Sequence, residues 1–388
     1  MRRKHLLLLL ILPVLLSSSG CTATGSIWAN YREIEQLQLI QTIGIDAEDG
    51  GVRLSISTGK PMEGEKPVRM AQTAPSLQIA MRRLQDSAAS AALFYGHTRY
   101  VIVGQDAAEA GIAPYLDFVE RDADMRLSAP MFIVYDATAE QAVMNTGDDK
   151  VDITESLNAM EVDVSRQGNG HAFTCAEIAQ ALASSGSALA CAAVCAPSEE
   201  EDAGDTVLPY GYAILKDGRL IDFLNGDPVM GVNLLLNLGG NSDILLKNAE
   251  GGAVTVALDR SKAGFSPVWN DDGSLQRVEV TITAHAAITE LAQPQRISDA
   301  AYLEQLDQAL ADTIRSWVEE ILSRSQKLGA DFLGIGQQIA TQSPNKWAKI
   351  QSDWQTLLPE TEFLISVTGS IERTFDLQNS ISVTGGAS

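Results

Sequence analysis

The period of the hydrophobic pattern changes repeatedly along the first 140 residues, and this constrains the fold more than any single motif. Residues 39–46 and 52–58 are strand-like, and the Gly-rich turn between them predicts a hairpin. From residue 77 apolar residues recur three or four positions apart, as on one face of a helix. Further segments then predict a strand, a helix and a strand, at 99–104, 112–122 and 131–136. Alternating strands and helices predict an α/β domain with crossover helices.

An acidic segment separates this region from a second predicted domain. The stretch "APSEEEDAGD" at 196–205 has a Pro, a run of acids and a Gly but no apolar period, which is typical of a linker. Upstream of it, Thr174 and Glu177 have the spacing of a capping box. We therefore predict an α+β, multi-domain protein with mixed β-sheets flanked by helices. The predicted segments are a signal peptide (1–20), an N-terminal α/β domain (21–195), a linker (196–206) and a C-terminal α+β domain (207–388).

The second domain has its own start and stop signals. Asp217-Gly218 lies between two strand-like runs and predicts a hairpin. Asp227 is a candidate N-cap, followed by Pro228 at the first helical position. Strands are expected near 244–247, 254–259 and 277–288, then a long helix at 298–327 and a last strand at 362–373. The apolar stripe of the long helix is expected to be core packing.

The N-terminus has the features of a lipoprotein signal peptide. Three basic residues precede an apolar run at 6–16, which covers roughly 16 Å as a helix and so about half of a ~30 Å hydrocarbon core. Ser18-Ser19-Gly20-Cys21 then supplies small residues and a cysteine at the expected cleavage point. The pattern resembles a bacterial lipobox, with Ser18 in the position where Leu is usual. Cys21 is the predicted lipidation site; an ordinary secretory signal with an incidental cysteine is the alternative.

The charge of the chain restricts its partners. The formal net charge is −22, and removal of the leader with Arg2, Arg3 and Lys4 leaves 25 basic against 50 acidic residues, a charge of −25. Such a surface repels nucleic acid and anionic lipid headgroups. We therefore expect no nucleic-acid partner, and the acidity also favours solubility.

Three cysteines remain after Cys21, an odd number for an exported chain. If 188–196 is a strand, Cys191 and Cys195 stand about 13 Å apart, which is too far for a disulfide. Buried free thiols are the favoured interpretation, although a disulfide of Cys175 with either of the others stays open. Three thiols without a neighbouring His are a weak case for zinc.

No motif in the sequence predicts catalysis or a cofactor. His97, His171 and His285 are far apart in the chain, and no GxSxG, HExxH or Walker pattern occurs. Residues 148–155 ("DDKVDITE") have the wrong spacing for a calcium loop and are expected to form a solvated acidic face. We predict no catalytic residue, no cofactor-binding residue, no metal ligand and no enzyme activity.

Several segments together carry a resemblance to a known family. They are "YREIEQLQLIQTIGID", "YGHTRYVIVG", "DFVERDADMRLSAPMFIV", "GYAILKDGRLIDFLNG" and, most clearly, residues 328–374 with Trp347, Trp354 and Leu358-Pro359. In their order and spacing they resemble the Ger(x)C family, the lipoprotein C subunits of nutrient germinant receptors of spores. Two features depart from the family: a Trp commonly follows the lipid cysteine directly, whereas here Trp28 is the first, and Leu358-Pro359 stands for Phe-Pro.

The resemblance implies a function that the residues alone do not give. It implies a lipid-anchored, non-catalytic receptor subunit on the outer face of the spore inner membrane, required for nutrient-triggered germination. It also implies the membrane subunits of the same receptor as partners. Because Trp347 and Trp354 are seven residues apart and would share a helix face, they are the candidate partner contact, with a core role for at least one of them as the favoured alternative. The alternative is a solute-binding lipoprotein of the cell envelope that captures a small nutrient.

Overall fold

The computed structural model describes residues 37–59, 67–88, 92–144, 152–167, 171–183, 188–196, 207–240, 242–247, 252–291 and 300–372. The strands are β1 (Leu37–Leu39), β2 (Thr42–Glu48), β3 (Gly51–Ser57), β4 (Arg69–Ala74), β5 (Ala92–Phe94), β6 (Tyr100–Val103), β7 (Met131–Tyr135), β8 (Ala188–Cys195), β9 (Leu208–Lys216), β10 (Arg219–Leu224), β11 (Asp243–Lys247), β12 (Ala253–Trp269), β13 (Leu275–Leu291) and β14 (Phe363–Glu372). The helices are α1 (Leu77–Ser87), α2 (Gln105–Ala110), α3 (Ala113–Arg121), α4 (Ala139–Met144), α5 (Ile153–Gln167), α6 (Cys175–Leu182), α7 (Asp227–Leu235), α8 (Ala300–Leu328), α9 (Ile335–Gln342), α10 (Pro344–Ile350) and α11 (Trp354–Leu357). This mixture of helices and mixed sheets confirms the predicted α+β class.

An eight-stranded mixed sheet organises the first half of the chain. Its order is β10-β9-β8-β7-β6-β2-β3-β4, with β2, β6, β7 and β8 parallel and antiparallel hairpins at both edges. The hairpins predicted between β2 and β3 and between β9 and β10 are both present. At the second turn Asp217 and Gly218 have φ values of 51° and 75°, as a two-residue hairpin loop with two positive φ angles requires.

Helices cover both faces of this sheet because successive strand residues point to opposite sides. Val101, Val103 and Ile133 pack with helices α1, α2, α3 and α6, whereas Ile102 and Val134 pack with α4 and α5. Helix α1 begins after Ser76, whose side chain accepts from the backbone N–H of Ile79. The capping box of Thr174 and Glu177 at the start of α6 is also present.

The hairpin β9–β10 joins the two halves of the chain. It follows the predicted linker, yet β9 pairs with β8 over eight residue positions and thereby extends the first sheet. Ala213 and Leu215 face the core of the first half, while Tyr212 and Ile214 face the core of the second half. The first sheet is therefore built from strands on both sides of the predicted linker, with β8 before it and β9 and β10 after it.

The second sheet has the order β11-β12-β13-β14 and packs against the long helix α8. The apolar stripe of α8 lies in the core, with Leu306, Leu310 and Ile321 buried, as predicted. The helix also covers the edge of β14: Arg315 donates to the carbonyl of Ile365, and Asp307 accepts from the N–H of Ile371. Covering an edge strand with a helix protects it from pairing with another chain.

The structure corrects several sequence expectations. Strand β4 and helices α2, α4 and α5 were not predicted, and β12 extends well beyond 254–259. Asp227 is the first residue of helix α7 rather than its N-cap, because Gly226 occupies the cap with a φ of 65°. The solvated acidic face expected at 148–155 is wrong for Asp152, which is 3% exposed. Its carboxylate accepts from Ser57 Oγ and from the N–H of Thr154.

Candidate functional site

The predicted lipidation site lies outside the described residues. Cys21 and the predicted signal peptide at 1–20 both precede residue 37, where the description of the chain begins. Among the helices that the structure describes, none combines the length and the apolar character needed to cross a membrane. Cys21 thus stays a prediction from the sequence.

The two tryptophans proposed as a partner contact lie in the protein core. Trp347 is on α10 and Trp354 is on α11, so the prediction that they share one helix face is wrong. Their exposed fractions are 7% and 0%, and their rings pack edge to face with 5.4 Å between the ring centroids. Because both indoles are buried, neither presents a contact surface.

A buried carboxylate, Asp331, bonds one of these tryptophans to the start of helix α9. Asp331 accepts from the backbone N–H groups of Ile335 (2.9 Å) and Gly336 (2.6 Å) at the start of α9, and from Trp354 Nε1 (2.8 Å). Burial raises the pKa of Asp331, and the hydrogen bonds oppose that shift. A Cβ atom at Gly336 would stand 2.6 Å from the Trp347 ring. This Asp331 cluster therefore fixes three short helices against one another.

Histidines and cysteines form no metal-binding group in the part of the chain that is described. No group of three or more His, Cys, Asp or Glu side chains there could hold a metal ion. Strand β8 separates Cys191 from Cys195, as predicted, and both are free thiols, as is Cys175. Cys175 and Cys191 are buried, and burial raises the pKa of Cys175 to about 12. A thiol with this pKa is protonated at neutral pH and is a poor nucleophile.

A polar crevice lies at the carboxyl ends of the parallel strands. Helix α2 leaves β6 toward one face of the sheet and α4 leaves β7 toward the other, so a depression of about 300 Å³ opens between them. Ligands commonly bind in such a crevice of an open α/β sheet. Here its buried Asp46 accepts from the N–H groups of Ala139 (2.7 Å) and Glu140 (2.8 Å) and thus holds the start of α4. The Asp46 carboxylate therefore serves to hold the fold together.

A second depression of about 570 Å³ adjoins the crevice, and we call it the junction groove. Its floor is an aromatic cluster of Tyr135 at the end of β7, Tyr210 on β9 and Phe223 on β10. Gln105 lines both depressions. Asp222 also lines the junction groove and is ion-paired with Arg324 of helix α8. The groove is thus built where the first sheet meets the second half of the chain.

Comparisons with known proteins assign the family. Residues 30–193 match the model described as "Spore germination protein N-terminal domain". Residues 210–375 match the model described as "Spore germination B3/GerAC like, C-terminal". The chain belongs to the Ger(x)C family of spore germination proteins. The two matches cover most of the chain and confirm the resemblance predicted from its segments.

Individual relatives agree with this assignment. The chain is 23% identical to spore germination protein KC of Bacillus subtilis (strain 168), over 96% of this chain and 97% of that protein. It is 22% identical to spore germination protein B3 of the same organism, over 42% of this chain and 43% of that protein. The crystal structure of the GerBC protein covers 85% of this chain with a TM-score of 0.55 at 15% identity. At that identity the likeness shows a shared fold.

Sequence reasoning missed the residues that organise both regions. Asp331 precedes a Gly-Ile-Gly sequence at the start of α9, and an acidic residue just before a predicted helix is a signal for a cap on its free N–H groups. Tyr135, Tyr210 and Phe223 gave no signal, because strand pairing brings them together from distant parts of the sequence.

Proposed function

We propose that the chain is a lipid-anchored, non-catalytic subunit of a nutrient germinant receptor of spores. Cys21 carries the lipid, and the folded chain lies on the outer face of the spore inner membrane. Its partners are the membrane subunits of the same receptor, and its presence is required for nutrient-triggered germination. The observation that carries the proposal is the family match in both halves of the chain, at 30–193 and 210–375.

The physical properties of the chain support this proposal. A diacylglycerol on Cys21 contributes two buried chains at about 0.8 kcal/mol per CH₂, enough for stable attachment without a basic patch. The charge of −25 after cleavage disfavours contact with anionic headgroups and leaves protein surfaces as the favoured partners. The thiols of Cys175 and Cys191 are buried, and the Asp46 carboxylate is hydrogen-bonded within the fold, so none of these groups is presented as a reactive group at the surface.

The experiment replaces Cys21 with Ala in spores that otherwise lack the gene. We expect the variant to lose lipid labelling and to leave the membrane fraction in cells without the membrane subunits. Nutrient-triggered germination should fall with it. Retention of the Cys21→Ala variant in the membrane of such cells would contradict Cys21 as the anchor. Normal germination of spores with an unlipidated chain would contradict a role of the lipid in germination.

A separate measurement distinguishes the proposal from a solute-binding lipoprotein. Calorimetric titration of the chain from residue 22 onward with amino acids and sugars should detect no ligand of micromolar affinity. A micromolar ligand would favour the solute-binding alternative, and turnover of any substrate would contradict the non-catalytic assignment.

A further inference from the structure

The junction groove is assembled from both halves of the chain. Gln105 and Glu109 come from α2, within the N-terminal match, whereas Tyr210, Ile221 and Phe223 belong to the hairpin within the C-terminal match. The groove is complete only because β9 pairs with β8, which brings the hairpin beside α2. A surface built in this way depends on the native joining of the two halves.

Aromatic rings form a floor that is still in contact with solvent. Tyr135 and Tyr210 stack with 3.8 Å between ring centroids and an interplanar angle of 11°. Phe223 stands perpendicular to Tyr135 at 5.1 Å. All three rings are half-buried rather than enclosed. Exposed faces of such rings attract cations, and aromatic residues are enriched in the energetic centres of protein interfaces.

A β-bulge places an apolar side chain beside this floor. The register of β10 on β9 shifts between Leu220 and Asp222, so Ile221 is the extra residue of the edge strand. Its side chain is 40% exposed and lines the groove. Bulges of this kind commonly re-aim a side chain at a functional surface. An exposed isoleucine next to three aromatic rings is a site that a partner's apolar side chain can cover.

The rim of the groove is acidic. Glu109 is exposed, and its carboxylate accepts from Gln105 Nε2 at 2.9 Å. Asp106 and Asp136 line the adjoining crevice, and neither is in an ion pair within the described ranges. No Lys or Arg of the described chain lines either depression, although Arg219 donates to the backbone carbonyl of Glu109. The charge of the groove is thus complementary to a cation.

We propose that the junction groove is the docking site for a loop of a membrane subunit that presents a Lys or Arg side chain next to an apolar residue. The cation lies over the aromatic floor near Glu109, and the apolar residue covers Ile221. This inference rests on the proposed function, because that function supplies the membrane subunit. A protein segment is favoured over a small molecule because the lining residues other than the buried Leu220 are half-buried or exposed, whereas small-molecule sites enclose 70–90% of their ligand.

The test compares groove variants with matched variants elsewhere on the full-length, lipidated chain. Glu109→Lys reverses the rim charge. Its control is Asp312→Lys on α8, whose carboxylate accepts from Gln308 Nε2 in the same i,i+4 geometry at 2.9 Å. Ile221→Ser removes the exposed apolar group, and its control is Leu245→Ser on β11, where the leucine is 65% exposed. Thermal unfolding establishes that all four variants are folded.

The readout is the amount of membrane subunit recovered with the tagged chain from detergent-solubilised spore membranes. We expect each groove variant to recover at least tenfold less than wild type and each control to stay within twofold. Groove variants that assemble like their controls would overturn the docking site and leave the receptor role standing. A wild-type chain that recovers no membrane subunit would overturn the proposed function itself.

A second experiment distinguishes a protein partner from a small free amine as the ligand of the junction groove. The purified chain is titrated with butylammonium and with L-arginine amide, with Glu109→Lys in parallel. Binding of neither probe below millimolar concentration is expected, because one cation without its flanking segment covers little of the groove. Submillimolar binding that Glu109→Lys abolishes, together with unchanged assembly, would show a small-molecule site and overturn the docking proposal.

Discussion

Replacement of Asp331 by Ala tests a buried carboxylate of the second half that accepts three hydrogen bonds. The carboxylate is buried and accepts from Ile335, Gly336 and Trp354, so the variant leaves three buried donors without an acceptor. Each orphaned donor costs roughly 1–3 kcal/mol. The variant also avoids burying a carboxylate, whose pKa is raised by that burial, and this offsets part of the loss. We therefore expect the free energy of unfolding to fall by about 3 kcal/mol, near the lower end of the summed cost of the three donors.

The assay is urea unfolding of the chain from residue 22 onward, followed by circular dichroism and tryptophan fluorescence. The matched control is Asp353→Ala, an exposed acid next to Trp354, which should change the free energy of unfolding by less than about 0.5 kcal/mol. If Asp331→Ala loses no more stability than this control, the carboxylate does not hold the three helices together. A folded Trp354→Phe variant with wild-type stability would contradict the same reasoning.

Three further predictions concern the first sheet and its connection to the second half. Hydrogen bonding from the backbone N–H of Thr174 lowers the pKa of Glu177, so the contribution of this carboxylate to stability is present above the ordinary Glu range and is lost as pH falls. Glu177→Ala should therefore lower the free energy of unfolding by about 1 kcal/mol at neutral pH and by less in acid, as measured by urea unfolding, and an equal cost at both pH values would contradict the assignment. We propose the linker at 196–206 as the site of limited proteolysis. The two fragments should co-elute in native size-exclusion chromatography because β8 and β9 stay paired. Fragments that separate without denaturant would contradict this pairing. Iodoacetamide should label only the half-buried Cys195 in the native chain and the two buried thiols only after unfolding, as read by mass spectrometry.

Local chemistry allowed two hairpin turns and the capping box of α6 to be predicted. The Asp217-Gly218 turn needs positive φ at both residues, and few other dipeptides supply it at low cost. The Thr174–Glu177 pair is likewise contained within one helical turn. Such features depend only on residues that are close in the sequence, so a local sequence pattern predicts them.

Long-range pairing could not be predicted in the same way. Nothing local indicates that β9 pairs with β8 across the acidic segment, and the junction groove depends on that pairing. The spacing of Trp347 and Trp354 predicts a shared face only along one continuous helix, but a 3₁₀ turn at Gln351–Asp353 separates α10 from α11. The buried indole of Trp354 donates to Asp331, which lies in a different part of the sequence before α9.

Germination of spores without this gene tests the receptor role most directly. The null strain and strains complemented with the wild-type gene or with Cys21→Ala are exposed to a panel of amino acids and sugars, and loss of refractility is followed with time. The account predicts that the null strain fails to germinate with at least one nutrient, that the wild-type gene restores the response, and that Cys21→Ala restores it poorly. A trigger that bypasses nutrient recognition should work equally in all strains. Normal germination of the null strain with every nutrient, including in spores that lack all related receptors, would contradict the account.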